Sequence, residues 1–139
     1  MGGQEDVLGA LGAAVRTIRA RLDRALRTDG LRLGQYQVLR VLWSEDGLTP
    51  RELSARLEVE MPTVTRTVQR MIRDGLVRRE DHPSDARSVY IYLTERGSAL
   101  RVLVERLLER ETATFLSGFS AEERALLIAF LERMRTNAR

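Results

Sequence analysis

The chain has 139 residues and a net charge of +3, with a pI of about 10.1. This length suits one domain with a single core, and the lack of cysteine excludes disulfides, thiol switches and cysteine-based zinc sites or nucleophiles. No apolar run approaches the roughly 20 residues that cross a bilayer, and the N-terminus lacks the pattern of a secretion signal, so we expect a cytoplasmic protein without a membrane partner.

Two amphipathic helices are predicted at the start of the chain. Apolar residues recur at spacings of three and four from Val7 to Leu26, which is typical of a long helix that packs along another helix. A glycine-containing turn follows. The second helix, "QYQVLRVLWSED", places Tyr36 and Trp43 on one face before an Asp-Gly pair stops it.

Local signals mark the ends of a third and a fourth helix. Thr49 is the expected N-cap of the third, with Pro50 at the first helical position and Glu52 completing a capping box. After a short break the fourth helix, "PTVTRTVQRMIR", starts at Pro62. It is predicted to end at Gly75, in the left-handed position of a Schellman motif.

A β-hairpin and two further helices complete the chain. The runs "LVRRED" and "SVYIYLT" flank the turn "HPSDAR", and apolar residues alternate with tyrosines in the second run, which predicts a hairpin with one buried face. Thr94 caps a long helix that we expect to reach Phe119. Ser120 and Glu123 form a capping box that opens the last helix. This order of elements predicts a mainly α (α+β) fold of the winged helix-turn-helix type, with long N- and C-terminal helices on either side of it.

The fourth helix carries the clearest chemical signal. From Met61 to Arg79 there are five arginines and a single aspartate. Polar side chains lie opposite the apolar ones, as a helix requires if it packs on its own domain and offers donors to phosphates and base edges. There are two alternatives to DNA binding. The polar side could be an ordinary solvated face, and the many arginines could reflect a coding bias of the whole genome. The candidate DNA-contacting residues on this side are Thr63, Arg66, Gln69, Arg70 and Arg73.

The hairpin turn contains a second candidate. Asp85 and Arg87 are two residues apart, so that the carboxylate could hold the guanidinium in one orientation. An arginine aimed in this way could enter a narrow minor groove, where the negative potential is enhanced. The alternative is a surface ion pair that contributes only ~0–1 kcal/mol.

The segment "DGLVRREDHPSDARSVYIYLTERG" resembles the signature of the MarR (multiple antibiotic resistance regulator) family of transcriptional regulators. It has Gly-Leu-Val followed by arginine at the helix exit, then Asp85 and Arg87, and then Leu93-Thr94 and Gly97. Upstream, "LTPRELSARLEVEMPTVTRTVQRMIRDGL" is similar to the helix-turn-helix of the same family. These motifs cover the chain from Leu48 to Gly97.

The resemblance implies a homodimer on a pseudo-palindromic operator of double-stranded DNA. Its recognition helices would enter successive major grooves, and its hairpin tips would enter the flanking minor grooves. Arg87 then takes the minor-groove role, with Asp85 as its orienting partner. On the recognition helix the resemblance implies base or phosphate contacts from Pro62, Thr63, Thr65, Arg66 and Arg70. Glu60 stands where the family has a small polar cap.

The apolar seams of the first and last helices independently favour association. A chain this short cannot cover two long terminal helices with its own small core, and two-fold dimers are the commonest remedy. A folded-back bundle within one chain is the alternative. We therefore expect a single domain, residues 1–139, with a DNA-binding lobe at 35–95 and dimerisation helices at 5–28 and 96–136.

The last expectation concerns a ligand. Members of the family often bind small aromatic molecules, and the residues best suited to such a pocket are Arg19, Tyr36, Trp43 and Phe115. The alternative is that Tyr36 and Trp43 belong to the core. His82, the only histidine, is a poor zinc site without cysteine partners, so no metal or cofactor is expected. No phosphate loop, HExxH motif or nucleophile triad indicates an enzyme.

The leading hypothesis is therefore a dimeric, sequence-specific DNA-binding regulator, a repressor that a small ligand releases from its operator. The alternative is a winged-helix module that uses the same arginine face to bind acidic proteins and has no specific operator.

Overall fold

A computed structural model describes residues 3–85 and 88–139. Within these residues the chain forms six helices and one two-stranded sheet. The chain divides into two compact units, Met1–Leu107 and Leu108–Arg139. None of the helices described combines the length and the apolar character that crossing a membrane demands. The elements are α1 (Gly3–Arg27), α2 (Leu33–Ser44), α3 (Pro50–Leu57), α4 (Met61–Arg73), β1 (Val77–Asp81), β2 (Val89–Leu93), α5 (Glu95–Phe115) and α6 (Ala121–Ala138).

The core of the first unit forms where α2, α3, α4 and the hairpin pack together. Each helix contributes apolar side chains from one face, as their sequence periodicity predicts. The elements before and after this group add further buried leucine and valine side chains. The buried apolar side chains include Leu26, Leu39, Leu42, Leu48, Leu53, Val64, Val68, Met71, Leu76, Ile91 and Val104.

The predicted capping residues are confirmed. Thr49 caps α3, because its hydroxyl oxygen accepts from the backbone N–H of Glu52 at 3.1 Å, and Ser120 caps α6 in the same way. At the end of α4, Gly75 has a φ of +73° and Leu76 donates its backbone N–H to the carbonyl of Met71 at 2.9 Å. This is the Schellman pattern, which satisfies carbonyls that the helix itself leaves unpaired.

The predicted hairpin is also confirmed. β1 and β2 are antiparallel, with Arg79 opposite Ile91. The side chain of Ile91 is buried, and its backbone N–H donates to the carbonyl of Leu48 at 2.8 Å. The hairpin is thus bonded to the loop between α2 and α3 as well as within itself.

Some expected boundaries are wrong. Helix α2 starts at Leu33 rather than at Gln35, and α4 starts at Met61 rather than at Pro62. The long helix α5 ends at Phe115 rather than at Phe119. Gly118, with a φ of +85°, turns the chain in a conformation that an L side chain rarely adopts, and the cap at Ser120 then starts α6. The glycine and the cap together outweigh the apolar residues that suggested a continuous helix.

The loop between α2 and α3 provides a seat for the hairpin. The Asp46 carboxylate accepts the backbone N–H of Leu93 at 2.9 Å, and the ring of Tyr92 lies over Gly47. A Cβ atom added at Gly47, whose φ is +70°, would lie 2.6 Å from Tyr92 Cε1. Only glycine allows both this backbone conformation and this approach of the ring.

Gly47→Ala is therefore expected to destabilise the chain by about 2–4 kcal/mol, since alanine at positive φ costs about 1 kcal/mol and the overpacked ring costs about 1–3 more. Urea denaturation followed by circular dichroism would measure this. Gly30→Ala is the matched control, because Gly30 has a φ of +76° but its added Cβ would meet only Arg96 Nη2 at 4.0 Å. Equal losses of stability in the two variants would show that the close approach of Tyr92 to Gly47 does not matter for folding.

Candidate nucleic-acid interface

Helix α4 has one buried and one exposed face. Val64, Val68 and Met71 are at most 5% exposed and pack into the core of the first unit. Every residue that the sequence placed on the opposite face is exposed, so the helix presents hydroxyl, amide and guanidinium groups to solvent. These exposed residues are Pro62, Thr63, Thr65, Arg66, Gln69, Arg70 and Arg73.

The turn that leads into α4 is made by acidic residues. Glu58 ends α3 in the left-handed conformation, with a φ of 54°, and Ser54 donates its hydroxyl to the carbonyl of Val59 at 2.5 Å. Glu60 is the N-cap of α4, but its side chain makes no capping hydrogen bond. The start of this helix therefore depends on backbone bonds: Thr63 and Val64 donate their N–H groups to the carbonyl of Glu60.

The other end of α4 is tied to two neighbouring helices. Gln35 of α2, which is 2% exposed, donates its amide to the carboxylate of Asp74 at 2.9 Å. From the start of α5, Thr94 donates its hydroxyl to the carbonyl of Gly75 at 2.7 Å, and the Arg96 guanidinium donates to the carbonyl of Asp74. These bonds hold the orientation of the exposed face relative to α2 and α5.

A carboxylate at the end of α1 organises the start of α2. Asp23 accepts the backbone N–H of Leu33 at 3.0 Å and lies 3.4 Å from Arg32 Nε and 2.9 Å from Arg27 Nη2. The bond from Leu33 lowers the pKa of Asp23 below its ordinary value of 3.8, helped by the charges of Arg32 and Arg27 and opposed by burial. The carboxylate is therefore ionised at neutral pH.

Sequence reasoning missed Asp23, Arg32 and Gln35. The spacing of four between Asp23 and Arg27 signals a helix ion pair and nothing more. Gln35 was placed only as the first residue of the second helix. Its partner Asp74 lies 39 residues away, so no local pattern could reveal the bond.

At the hairpin tip the structure describes one member of the predicted pair. Asp85 is exposed, and Ser88 donates its backbone N–H to the Asp85 carbonyl at 3.1 Å and its hydroxyl to the carboxylate at 3.3 Å. Arg87 lies outside the described residues, and its pairing with Asp85 stays a prediction. His82 accepts the backbone N–H of Ser84 at its Nδ1 atom, 3.0 Å away, which tightens the turn.

Two of the four predicted ligand residues come together. The rings of Tyr36 and Trp43 are half-buried, with centroids 6.4 Å apart. Trp43 donates its indole N–H to the carbonyl of Gly97 at 2.9 Å, and burial raises the pKa of Tyr36. Arg19 is exposed on α1, and Phe115 belongs to the second unit. The pocket therefore stays a prediction.

A model of the MarR family matches residues 31–89, which hold α2 to the start of β2. The HTH-type transcriptional regulator TtmR of Methylorubrum extorquens (strain PA1) is 34% identical over 126 residues, which are 91% of this chain and 60% of that protein. The HTH-type transcriptional regulator MT0903.1 of Mycobacterium tuberculosis (strain CDC 1551 / Oshkosh) is 32% identical over 111 residues, 77% of this chain and 78% of that protein. The chain belongs to the MarR family of DNA-binding transcriptional regulators.

Solved structures of transcriptional regulators are similar to this chain over most of its length. A MarR regulator from Methanosarcina mazei Go1 is 26% identical, with a TM-score of 0.86 and 96% of each chain covered. A Listeria monocytogenes regulator solved with 26mer DNA is 22% identical, with a TM-score of 0.83 and 94% and 87% covered. An organohalide-sensing regulator solved with 2,4-dichlorophenol is 20% identical, with a TM-score of 0.92 and 99% and 82% covered. The last two likenesses show the fold alone.

Proposed function

We propose that this MarR-family chain is one subunit of a cytoplasmic homodimer that binds a pseudo-palindromic DNA operator. Helix α4 enters the major groove, and the hairpin tip reaches the adjacent minor groove. The protein acts as a repressor, and a small aromatic ligand lowers its affinity for the operator.

The observation that carries this proposal is the exposed polar face of α4. Its arginines are held by a helix whose opposite side is buried, so their backbone positions are fixed before DNA arrives. Arg66 and Arg70 lie one turn apart, and an arginine can donate two parallel hydrogen bonds to a guanine edge or to a phosphate. Thr63, Thr65 and Gln69 add donors and acceptors suited to base edges.

The hairpin extends this face. Asp85 stands beside the tip, and we propose that it orients Arg87 toward the minor groove. The seat formed by Asp46 and Gly47 supports this role, because it limits how far the hairpin can swing relative to α4. The Listeria monocytogenes regulator that was solved with 26mer DNA supports DNA as the partner of this face.

The apolar side chains that remain exposed on the terminal helices support association into a dimer. On α1, Leu8 is 72% exposed, and on α6 both Leu126 and Ile128 are more than half exposed. We propose that residues 5–28 and 96–136 form the dimer helices and that residues 35–95 form the DNA-binding lobe. A two-fold axis would place two α4 helices about 34 Å apart, one turn of DNA.

The ligand part of the proposal rests on the aromatic pair. Tyr36 and Trp43 form an angled aromatic surface on α2, the helix that Gln35 links to the end of α4. A ligand that displaces these rings would move α2 and, through Gln35, the DNA-reading helix. The neighbour solved with 2,4-dichlorophenol supports an aromatic ligand. Arg19 is the proposed partner of an acidic group on that ligand.

Arg66→Ala is expected to weaken operator binding by about 10- to 100-fold, because a bidentate contact to a base is worth about 1–3 kcal/mol. Binding to bulk duplex should fall less, so the ratio of operator to bulk affinity drops. Fluorescence anisotropy at fixed salt measures both affinities. Arg106→Ala, an equal change of charge at an exposed position of α5, is the control. If the ratio of operator to bulk affinity is unchanged in Arg66→Ala, Arg66 on α4 does not contact a base.

A further inference from the structure

A cleft with a volume of about 300 Å³ lies between the start of α2 and the exposed face of α4. It is separate from the aromatic pair on α2. A water molecule takes up about 30 Å³ of liquid, so the cleft can hold a tetrahedral oxyanion with several waters. The residues that line it include Asp23, Arg32, Thr63, Arg66 and Arg70.

The charge of this cleft favours an anion. Three arginines line it, against the single carboxylate of Asp23. That carboxylate already accepts the backbone N–H of Leu33 and faces the guanidinium groups of Arg27 and Arg32. Three arginines against this one carboxylate leave the lining with a net charge of +2, which still favours an anion.

Asp23 also positions Arg32. The contact runs through Nε of Arg32, at 3.4 Å, while the side chain stays 54% exposed. A guanidinium carries five N–H donors in one plane, so a contact through Nε leaves the terminal nitrogens able to bind another acceptor. The position of Arg32 is thus set by α1 and the start of α2, whereas the positions of Arg66 and Arg70 are set by α4.

We propose that this cleft binds one phosphodiester group of the DNA backbone, with Arg32 as a positioning residue that sets how α4 sits in the major groove. The proposal rests on the proposed function and adds a contact from outside the recognition helix and the hairpin. Phosphate contacts fix the register of a protein on the duplex, while base contacts specify the sequence. Arg32 should therefore affect all duplexes alike.

The test compares Arg32→Ala with the parent dimer on operator and on bulk duplex over a series of salt concentrations. Arg32→Ala should weaken binding to both by the same factor, about tenfold. The slope of log affinity against log salt should become shallower by about 0.9, the value for one phosphate. The Arg40→Ala variant is the matched control, since it lies on α2 about 12 Å further along the helix and should leave the slope unchanged.

A second measurement locates the phosphate. Operators that carry one neutral methylphosphonate at each backbone position in turn are titrated with both proteins. At one position in each half-site, the substitution should weaken the parent about tenfold and weaken Arg32→Ala clearly less, because Arg66 and Arg70 still line the cleft in the variant. Thermal unfolding of the variant checks that it is folded.

Three results would overturn the proposal. One is a salt slope for Arg32→Ala equal to that of the parent. Another is a methylphosphonate scan that penalises both proteins equally at every position. The third is Arg32-dependent binding of inorganic phosphate in the absence of DNA together with an unchanged slope, which would make the cleft a site for a free anion. A parent that binds no DNA at any salt would instead overturn the proposed function itself.

Discussion

Gly97→Ala should lower the free energy of unfolding by about 3 kcal/mol, since forcing a methyl group into a filled site costs about 1–3 kcal/mol and more where backbone must move. A Cβ atom at Gly97 would lie 2.2 Å from the carbonyl oxygen of Leu76 and 3.3 Å from Leu93 Cδ2. The first of these atoms belongs to the backbone, so no side-chain rotation relieves the clash. The first turn of α5 would have to move away from the end of α4.

This change should also reach DNA binding. Leu76 closes the Schellman motif at the end of α4, and the carbonyl of Gly97 accepts the indole N–H of Trp43. A displaced α5 would therefore shift α2 and α4 together. Urea denaturation measures the stability, and the operator affinity of the folded fraction measures the second effect.

Gly34→Ala is the matched control, because Gly34 is helical and a Cβ atom there would meet nothing within 4 Å. It should leave stability unchanged or raise it by up to about 1 kcal/mol. Equal stabilities for the Gly97→Ala protein and the parent would show that the contact between α5 and Leu76 is looser than its distances indicate.

Leu131→Glu should convert the proposed dimer to monomers and lower operator affinity by about 100-fold or more, because linked half-sites gain about 10²–10⁴ over separate ones. Leu131 is an apolar residue that is 42% exposed on α6, and a carboxylate there would be buried without a partner in an apolar dimer interface. Sedimentation velocity measures the association state, and anisotropy measures the affinity.

Glu132→Gln is the control, since it changes charge at the neighbouring exposed position and should leave the dimer intact. Leu107 on α5 is unsuited to this test, because it is only 5% exposed and its replacement would damage the core. If Leu131→Glu remains a dimer at micromolar concentration, the dimer interface does not include this face of α6.

The sequence predicted those features that depend on neighbouring residues. The capping boxes at Thr49 and Ser120 and the Schellman motif at Gly75 each lie within a few residues, so their chemistry can be read locally. The amphipathic α4 followed from its periodicity, and with it the exposed arginine face. The segment from Leu48 to Gly97 resembles the MarR signature, and this resemblance identified the helix, helix and hairpin as a DNA-binding unit.

Contacts between distant residues were beyond such reasoning. The Gln35–Asp74 bond joins residues 39 apart, and the Asp46–Leu93 bond joins residues 47 apart. Neither residue type nor spacing specifies these partners. The cleft beside Arg32 was missed for the same reason, because it exists only after α2 has packed beside α4.

The central claim is that the exposed face of α4 selects a DNA sequence. The most direct measurement is selection of duplexes by the purified protein from a random pool at near-physiological salt, with Arg66→Ala selected in parallel. The parent is expected to enrich one sequence with two half-sites related by two-fold symmetry, about 10 base pairs apart, and Arg66→Ala is expected to enrich it weakly. A parent pool that stays as random as the input would contradict the account and favour a protein-binding role for the arginine face.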